Sequence, residues 1–400
     1  MNNTIKLAVA SALLAAASTA SAAGGIVAGD WTIDIGGNVN EFVIYNTSKD
    51  NNVVAGGLAN TRDAKGSKAS VAMNTGLLPS WLGFTGKTRQ NDLDVEFAIS
   101  MQPGGSTTSS IAGGGGTENR QAYISFGDKS WGTILIGKNL GEFGRDAILL
   151  DQTLLGVGSQ GLVGTKGGTT TTLGRIGTGF LYADFQGQVN YTTPNFNGFQ
   201  AVAGIVQPVE TANQSTTASL ASTGNQSRPA FEAKGSYSFA GDVAGKVWAE
   251  VKSQKIDYTA AIGNTATAFG VGANVNAAGF GLVGYYYDGK GVGTTAWLMD
   301  GVAANGNKRN SNGGYVQGSY TLPGVGTKVA ASWGISKLDL ANGEAASALV
   351  SKNEMWTFGA YHPLTKHLNL VAEYSNVQAT SHLGLKNKSD IIDAGAILFF

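Results

Sequence analysis

Between Asn91 and Met101 apolar residues fall at alternate positions. Leu93, Val95, Phe97, Ile99 and Met101 share one parity; Asp92, Asp94, Glu96 and Ser100 share the other. Side chains of an extended strand point to opposite faces in turn, so this stretch predicts a strand with one apolar and one charged wall. The pattern returns at Phe231–Phe239, where Phe231, Ala233, Gly235, Tyr237 and Phe239 oppose Glu232, Lys234, Ser236 and Ser238. It returns again in Gly245–Lys252, Lys328–Ile335 and Leu368–Ser375. Each run is about ten residues, enough to cross a bilayer as a tilted strand.

A soluble sandwich also alternates, but needs a second sheet to cover its apolar face. A transmembrane barrel turns that face to lipid and its polar face to a wet interior. A charge on the lipid face at mid-depth costs about 2–4 kcal/mol, and in these runs the charges keep to one parity. The connections agree. Short ones (Gly127–Ser130, Pro194–Gly198, Ala277–Gly279) alternate along the chain with long polar ones (Asn46–Lys68, Gln102–Thr117, Asp288–Ser311). Together they imply about sixteen antiparallel strands, with both termini on the side of the tight turns. About sixteen strands leave an aqueous channel, whereas about eight would be filled by side chains. The fold class expected is therefore all-β: a transmembrane antiparallel β-barrel. Predicted strands begin near Trp31, Ala69, Asp92, Glu118, Gly132, Arg175, Phe199 and Ala230, and eight more follow to Asp390. The last strand ends on Phe400 and should close against the first, since an open edge in lipid leaves backbone groups unsatisfied.

Composition changes the picture in three places. The chain has 400 residues, with 27 Lys+Arg against 27 Asp+Glu, so charge gives no hint of a nucleic-acid partner. It has no Cys, which removes disulfides as a source of stability. Its first residues read as an export signal: Lys6 precedes the apolar run Leu7–Ala17, and Ala20-Ser21-Ala22 is an A-x-A cleavage site. Residues 1–22 are expected to be a signal peptide and 23–400 the barrel domain. Beyond residue 22 no run of apolar residues is long enough to cross as a helix.

One connection stands out. After the hairpin Ala122–Phe126 and Thr133–Ile136, residues 139–173 form a long Gly/Thr-rich excursion. It carries Glu142, Asp146 and Asp151 beside Phe143 and the apolar run Ile148-Leu149-Leu150. A loop that long in a strand-and-turn protein is functional or disordered. The expectation is that it folds into the pore, with the apolar run anchoring it on the inner wall.

These features resemble the Gram-negative general-diffusion porins. The match is carried by Leu82-Gly83-Phe84-Thr85-Gly86, by Asn119-Arg120-Gln121-Ala122-Tyr123 with Trp131-Gly132-Thr133-Ile134 and Ile136-Gly137-Lys138, by Tyr191-Thr192-Thr193-Pro194-Asn195-Phe196-Asn197-Gly198-Phe199, and by the terminal Phe400. The resemblance spans the whole chain. It implies a homotrimer of 16-stranded barrels in the Gram-negative outer membrane, among lipid and lipopolysaccharide. It further implies insertion by the barrel-assembly machinery through the C-terminal strand, and passive diffusion of small hydrophilic solutes and ions. Gly141-Glu142-Phe143-Gly144 is similar to the family's Pro-Glu-Phe-Gly motif in the inward-folded third extracellular loop. By that likeness Glu142, Asp146 and Asp151 form the acidic side of a constriction, and Arg120 and Arg175 the basic wall. Trp81 and Asp184 stand where the family often has arginine, which thins that wall.

Other chemistry is thinly represented. Gly113–Gly116 lacks the helix and lysine of a phosphate cradle and reads as loop. His362, His367 and His382 are the only histidines; His362 and His367 flank a short turn with no third ligand apparent nearby, so no metal or cofactor is expected. No nucleophile motif suggests an enzyme, and no catalytic residue is expected. Tyr285-Tyr286-Tyr287 and Trp356/Phe358 read as interfacial aromatics, with a sugar-stacking track as the alternative. Gln121, Tyr123 and Ser125, opposite Arg120, are expected to face outward onto a neighbouring subunit. Alternatives to general diffusion are a pore selective for a sugar or an anion, a surface adhesin or receptor acting through the loops, and a soluble periplasmic β-protein.

Overall fold

A computed structural model describes residues 25–104, 117–160, 171–222, 226–259 and 262–400. The expected signal peptide and the Gly113–Gly116 loop lie outside these residues. Among the described residues there are nineteen strands. They are β1 (Ile26–Ala28), β2 (Trp31–Ser48), β3 (Ala69–Asn74), β4 (Trp81–Gln90), β5 (Leu93–Pro103), β6 (Thr117–Glu118), β7 (Ala122–Asp128), β8 (Gly132–Leu140), β9 (Phe185–Thr192) and β10 (Phe199–Val206). There follow β11 (Ala230–Phe239), β12 (Val243–Asp257), β13 (Gly263–Ala277), β14 (Phe280–Lys290), β15 (Asn310–Thr321), β16 (Lys328–Leu338), β17 (Val350–Pro363), β18 (Leu368–Ser381) and β19 (Lys386–Phe399).

Every barrel strand pairs antiparallel with its neighbours, and β19 returns to β2 from Ser389↔Ser48 to Phe399↔Asn38. The backbone of Phe400 completes the seam in both directions with Gly37, at 2.9 and 3.0 Å. The sheet thus has no free edge, the condition lipid imposes. Two strands are interrupted. β3 pairs with Phe42–Thr47 and β4 with Thr32–Asn38 of the same strand β2, so they form one broken strand. β6 and β7 likewise share β5. With these merged, and β1 set aside as a short hairpin on β2, the protein is a closed 16-stranded barrel. A single strand from Ala69 was expected; Thr75–Ser80 instead leaves the ladder. A strand from Arg175 was also expected, but β9 begins at Phe185, and Arg175 belongs to the preceding loop.

Tight turns close one end. Asn91 and Asp92 have φ of 47° and 61°, and Ala278 and Gly279 have 49° and 84°. Two consecutive positive φ values are those of a type I′ hairpin, whose twist matches that of the strands. The burial pattern is inverted relative to a water-soluble protein. On β2, Val39 is 59% exposed while Asn40 is 3% exposed. Outward Val43, Tyr45, Ile99, Ile124, Phe231, Val247 and Phe269 are all exposed, and inward Ser100, Gln188, Glu232, Lys234, Glu250, Lys252 and Glu373 are buried. Fully covering one such aliphatic side chain is worth about 1.5–3 kcal/mol. A belt of them around the barrel is therefore stable only against lipid. Phe143, Leu154, Phe180 and Leu181 of the loop after β8 pack with Trp248, Tyr285 and Tyr315 of the wall and Trp297 of the loop after β14.

Candidate functional site

The connection between β8 and β9 spans 141–184, of which 161–170 are not described. Its neck closes where the Gly141 N–H bonds the Asp184 carbonyl at 2.8 Å. Gly144 then takes φ 80°, which a glycine adopts without strain, and starts a helical turn, Arg145–Leu150. Asp151 caps the next turn, accepting the Thr153 N–H at 3.2 Å. From there the segment binds side chains of the polar strand face. Glu232 on β11 accepts the Glu142 N–H at 2.6 Å, and Glu250 on β12 accepts the Gly144 N–H at 2.8 Å. Tyr315 on β15 donates to the Ala147 carbonyl at 2.8 Å. Gln317 donates to the Leu150 carbonyl at 3.0 Å and accepts from the Gln152 N–H at 2.7 Å. Glu373 on β18 accepts both the Val157 and Gly158 N–H groups at 2.9 Å. A segment with buried backbone groups must find such partners, and the wall supplies them.

The acids expected on this loop sit in two separate places. Glu142 and Asp146 share Lys234 of β11, whose Nζ lies 2.7 Å from Glu142 Oε2 and 2.9 Å from Asp146 Oδ2. Lys246 of β12 adds a contact of 2.6 Å to Asp146, and Arg145 pairs with Glu142. Burial alone would raise the Glu142 carboxyl, but Arg145 and Lys234 outweigh it and hold it below the usual carboxylate range. Asp146 is likewise raised by burial, and Lys234 and Lys246 reverse that. Three bases surround two acids, and the most exposed members are the cations Lys246 and Arg145. Asp151 is elsewhere, 3.5 Å from Arg175, with both side chains fully buried. Here burial prevails over Arg175, and the Asp151 carboxyl is raised. Arg175 also reaches Ser332 and, at 3.2 Å, the Met355 carbonyl.

Arg120 is not brought to Glu142 or Asp146. It pairs with Glu118 at 3.0 Å and lies over the Phe185 ring, 5.3 Å from its centroid. The cause is local. Between Ile99↔Ala122 and Gln102↔Glu118, three residues, Asn119–Gln121, oppose two on β5. Such a bulge shifts side-chain parity. Below it Tyr123 and Ser125 turn inward, and Tyr123 donates to Glu96 at 3.1 Å. The expectation that Gln121, Tyr123 and Ser125 face a neighbouring subunit is therefore corrected. The apolar run also differs from expectation. Ile148 and Leu149 border a cavity of about 510 Å³ together with Arg120, Trp81 and Asp184, rather than only gripping the wall. Lys234 and Lys246 were not singled out from the sequence as partners of the loop acids. Their signal was present, because both lie on the charged parity of the alternating runs at Phe231–Phe239 and Gly245–Lys252.

Among the described residues, no helix is long and apolar enough to cross a membrane, and no three His, Cys, Asp or Glu side chains are placed to hold a metal ion. The sequence profile of the Gram-negative porins matches residues 8–382. The chain belongs to the Gram-negative porin family. As a porin it is an outer-membrane β-barrel channel for passive diffusion of small solutes. No curated protein sequence matches it significantly. Solved structures of outer-membrane proteins share its fold. The outer membrane channel DcaP of Acinetobacter baumannii superposes with a TM-score of 0.70 at 18% identity, over 94% of this chain and 100% of that one. OmpF of Salmonella typhi, solved in complex with daunomycin, gives 0.61 at 15% identity over 94% and 99%. The trimer form of Vibrio cholerae OmpT gives 0.57 at 14% over 92% and 99%. At these identities the likeness is one of fold.

Proposed function

We propose that the segment after β8 folds inward as the porin's third extracellular loop, and that it sets the width and charge of the passage. The observation that carries this is the Lys234 bridge. One wall lysine holds two loop carboxylates at 2.7 and 2.9 Å, which ties the loop to the polar strand face. Glu142 and Asp146 are then the acidic members of the constriction, with Lys234 and Lys246 on its basic side; the buried Asp151–Arg175 pair braces the loop, and Arg120 stands apart beside Glu118. The more exposed Lys246 and Arg145 of that cluster border the passage, where fixed charge orients polar solutes and disfavours apolar ones. Small hydrophilic solutes and ions cross by diffusion, with no covalent chemistry. The porin works as a homotrimer in the lipopolysaccharide-bearing membrane, and its strand ending at Phe400 is the segment the assembly machinery reads.

Single-channel recording of the purified protein in a planar bilayer tests this. Openings in groups of three support the trimeric porin, and a silent bilayer refutes it. Glu142→Gln combined with Asp146→Asn removes two negative charges and leaves three cations. Under a salt gradient the reversal potential should move toward anion preference. An unchanged potential would show that the loop acids do not act on the permeating ions.

A further inference from the structure

The cavity beside Arg120 is unlike the rest of the polar lumen. Its volume, about 510 Å³, falls in the range of about 300–1,000 Å³ usual for small-molecule sites. Leu77 and Leu78 enter it from the Thr75–Ser80 interruption between β3 and β4. Had that strand run unbroken, alternate residues would have pointed to lipid. Instead the Leu77 N–H bonds the Gly156 carbonyl at 2.9 Å, which turns the leucine pair inward. Ile148, Leu149 and Leu154 of the porin's long loop face it, and Trp81 borders it from β4. Water against this leucine-lined wall lacks the polar partners it needs, so an apolar group gains by displacing it.

One corner of the chamber is charged. Arg120 gives Nε to Glu118 at 3.0 Å, while its two Nη groups have no acceptor among the described residues. Asp184, held at φ 57°, accepts its neighbour's N–H through Oδ1 at 2.7 Å, and Oδ2 has no donor among them. The Tyr182 hydroxyl borders the same corner, where burial raises it to about 12, so it stays a neutral donor. Two acids and one base thus surround an opening onto a leucine-lined wall. A lone carboxylate would meet Arg120 but also two like charges. A lone amine would meet the acids but also a guanidinium. A solute bearing both charges side by side satisfies all of them.

We propose that this chamber is a binding station for zwitterionic α-amino acids with large apolar side chains. The carboxylate bonds the Arg120 Nη groups, the ammonium faces Asp184, and the side chain lies against Leu77, Leu78 and Leu149. The inference rests on the reading of the barrel as a conducting porin, so the test measures binding and conduction separately. L-Phenylalanine, glycine, 3-phenylpropanoate and 2-phenylethylamine are added to open channels in a planar bilayer. Each is also titrated into the protein and into Trp81→Phe in detergent, and the Trp81 emission is taken as the difference. Phenylalanine should interrupt the current and shift the emission at concentrations at least about ten-fold lower than the other three, since a charge-assisted bond or a buried ring is each worth that much. Arg120→Gln and Leu149→Asn should each raise the half-blocking concentration about ten-fold, read against each variant's own open current. Glycine, the lone acid or the lone amine acting as strongly as phenylalanine would overturn the proposal. So would a conducting channel that phenylalanine neither blocks nor binds. A silent protein that still binds phenylalanine would refute the porin reading and leave the site standing.

Discussion

Lys234→Met is the sharpest test of how the long loop is held. Lys234 is 8% exposed, and its partners Glu142 and Asp146 have side chains 6% and 12% exposed. The substitution removes one cation from between two buried carboxylates. Each keeps a second partner, Arg145 for Glu142 and Lys246 for Asp146. Breaking a buried ion pair from one side costs about 3–5 kcal/mol, and the remaining partners place this site at the lower end, about 3 kcal/mol. The strand ladder does not depend on this lysine, so the loss falls on loop docking. At about 1.4 kcal/mol per ten-fold, the docked state weakens about one hundred-fold. The Glu142 and Gly144 N–H groups, bonded at 2.6 and 2.8 Å to Glu232 and Glu250, report on that equilibrium. Their hydrogen-exchange protection should fall about one hundred-fold in Lys234→Met. Lys255→Met removes an exposed lysine of β12 and should leave it intact. Equal protection in Lys234→Met and the parent protein, with the variant correctly folded, would refute the claim that this ion-pair cluster docks the loop.

Acid should weaken the same docking. Glu142 and Asp146 have lowered folded values, so their contribution is complete above the unfolded carboxylate range of about 4 and is lost as pH falls through the lowered values. Asp151, raised by burial, acts in the opposite sense and offsets part of the loss. The part of the porin's acid response that falls below about pH 4 should be lost in Glu142→Gln combined with Asp146→Asn; the same response in that variant would contradict this. Gly144→Ala forces a side chain onto φ 80° with its Cβ 2.7 Å from the Leu181 carbonyl, at a cost of about 1–3 kcal/mol. Protease cleavage in 141–156 should rise while the barrel stays folded on an unheated gel, and unchanged cleavage would count against the turn. Arg309 joins three outer loops, through both Glu344 oxygens, the Ser219 hydroxyl at 2.9 Å and the Ala218 and Asp300 carbonyls at 2.6 Å each. Arg309→Lys keeps the charge but not the planar fork, so proteolysis within 207–222 and 339–349 should accelerate, and equal digestion rates would refute a locking role.

Period-two alternation settled much of this molecule in advance. A strand that turns Val39 to lipid and Asn40 to the lumen announces both faces in its own residues, because parity is a local property of the extended chain. The tight turn at Ala277–Gly279 was equally legible, since Gly279 suits its φ of 84°, whereas Ala278 takes 49° against the preference of a residue with a Cβ. Alternation even marked Lys234 and Lys246 as lumenal. What it could not say is which lumenal charges meet. Lys234 and Glu142 lie on different elements, 92 positions apart, and only the folding of the loop back over β9 and β10 brings it to β11. Interruptions were invisible for a related reason. The departure of Thr75–Ser80 and the extra residue at Asn119–Gln121 depend on what the ladder's neighbours offer, not on local pattern. Those two irregularities turn Leu77, Leu78 and Arg120 toward one chamber. Parity along single strands specifies a membrane barrel with an inner and an outer face. Which acid each base neutralises, and where the lumen becomes apolar, depend instead on distances set by the closed sheet.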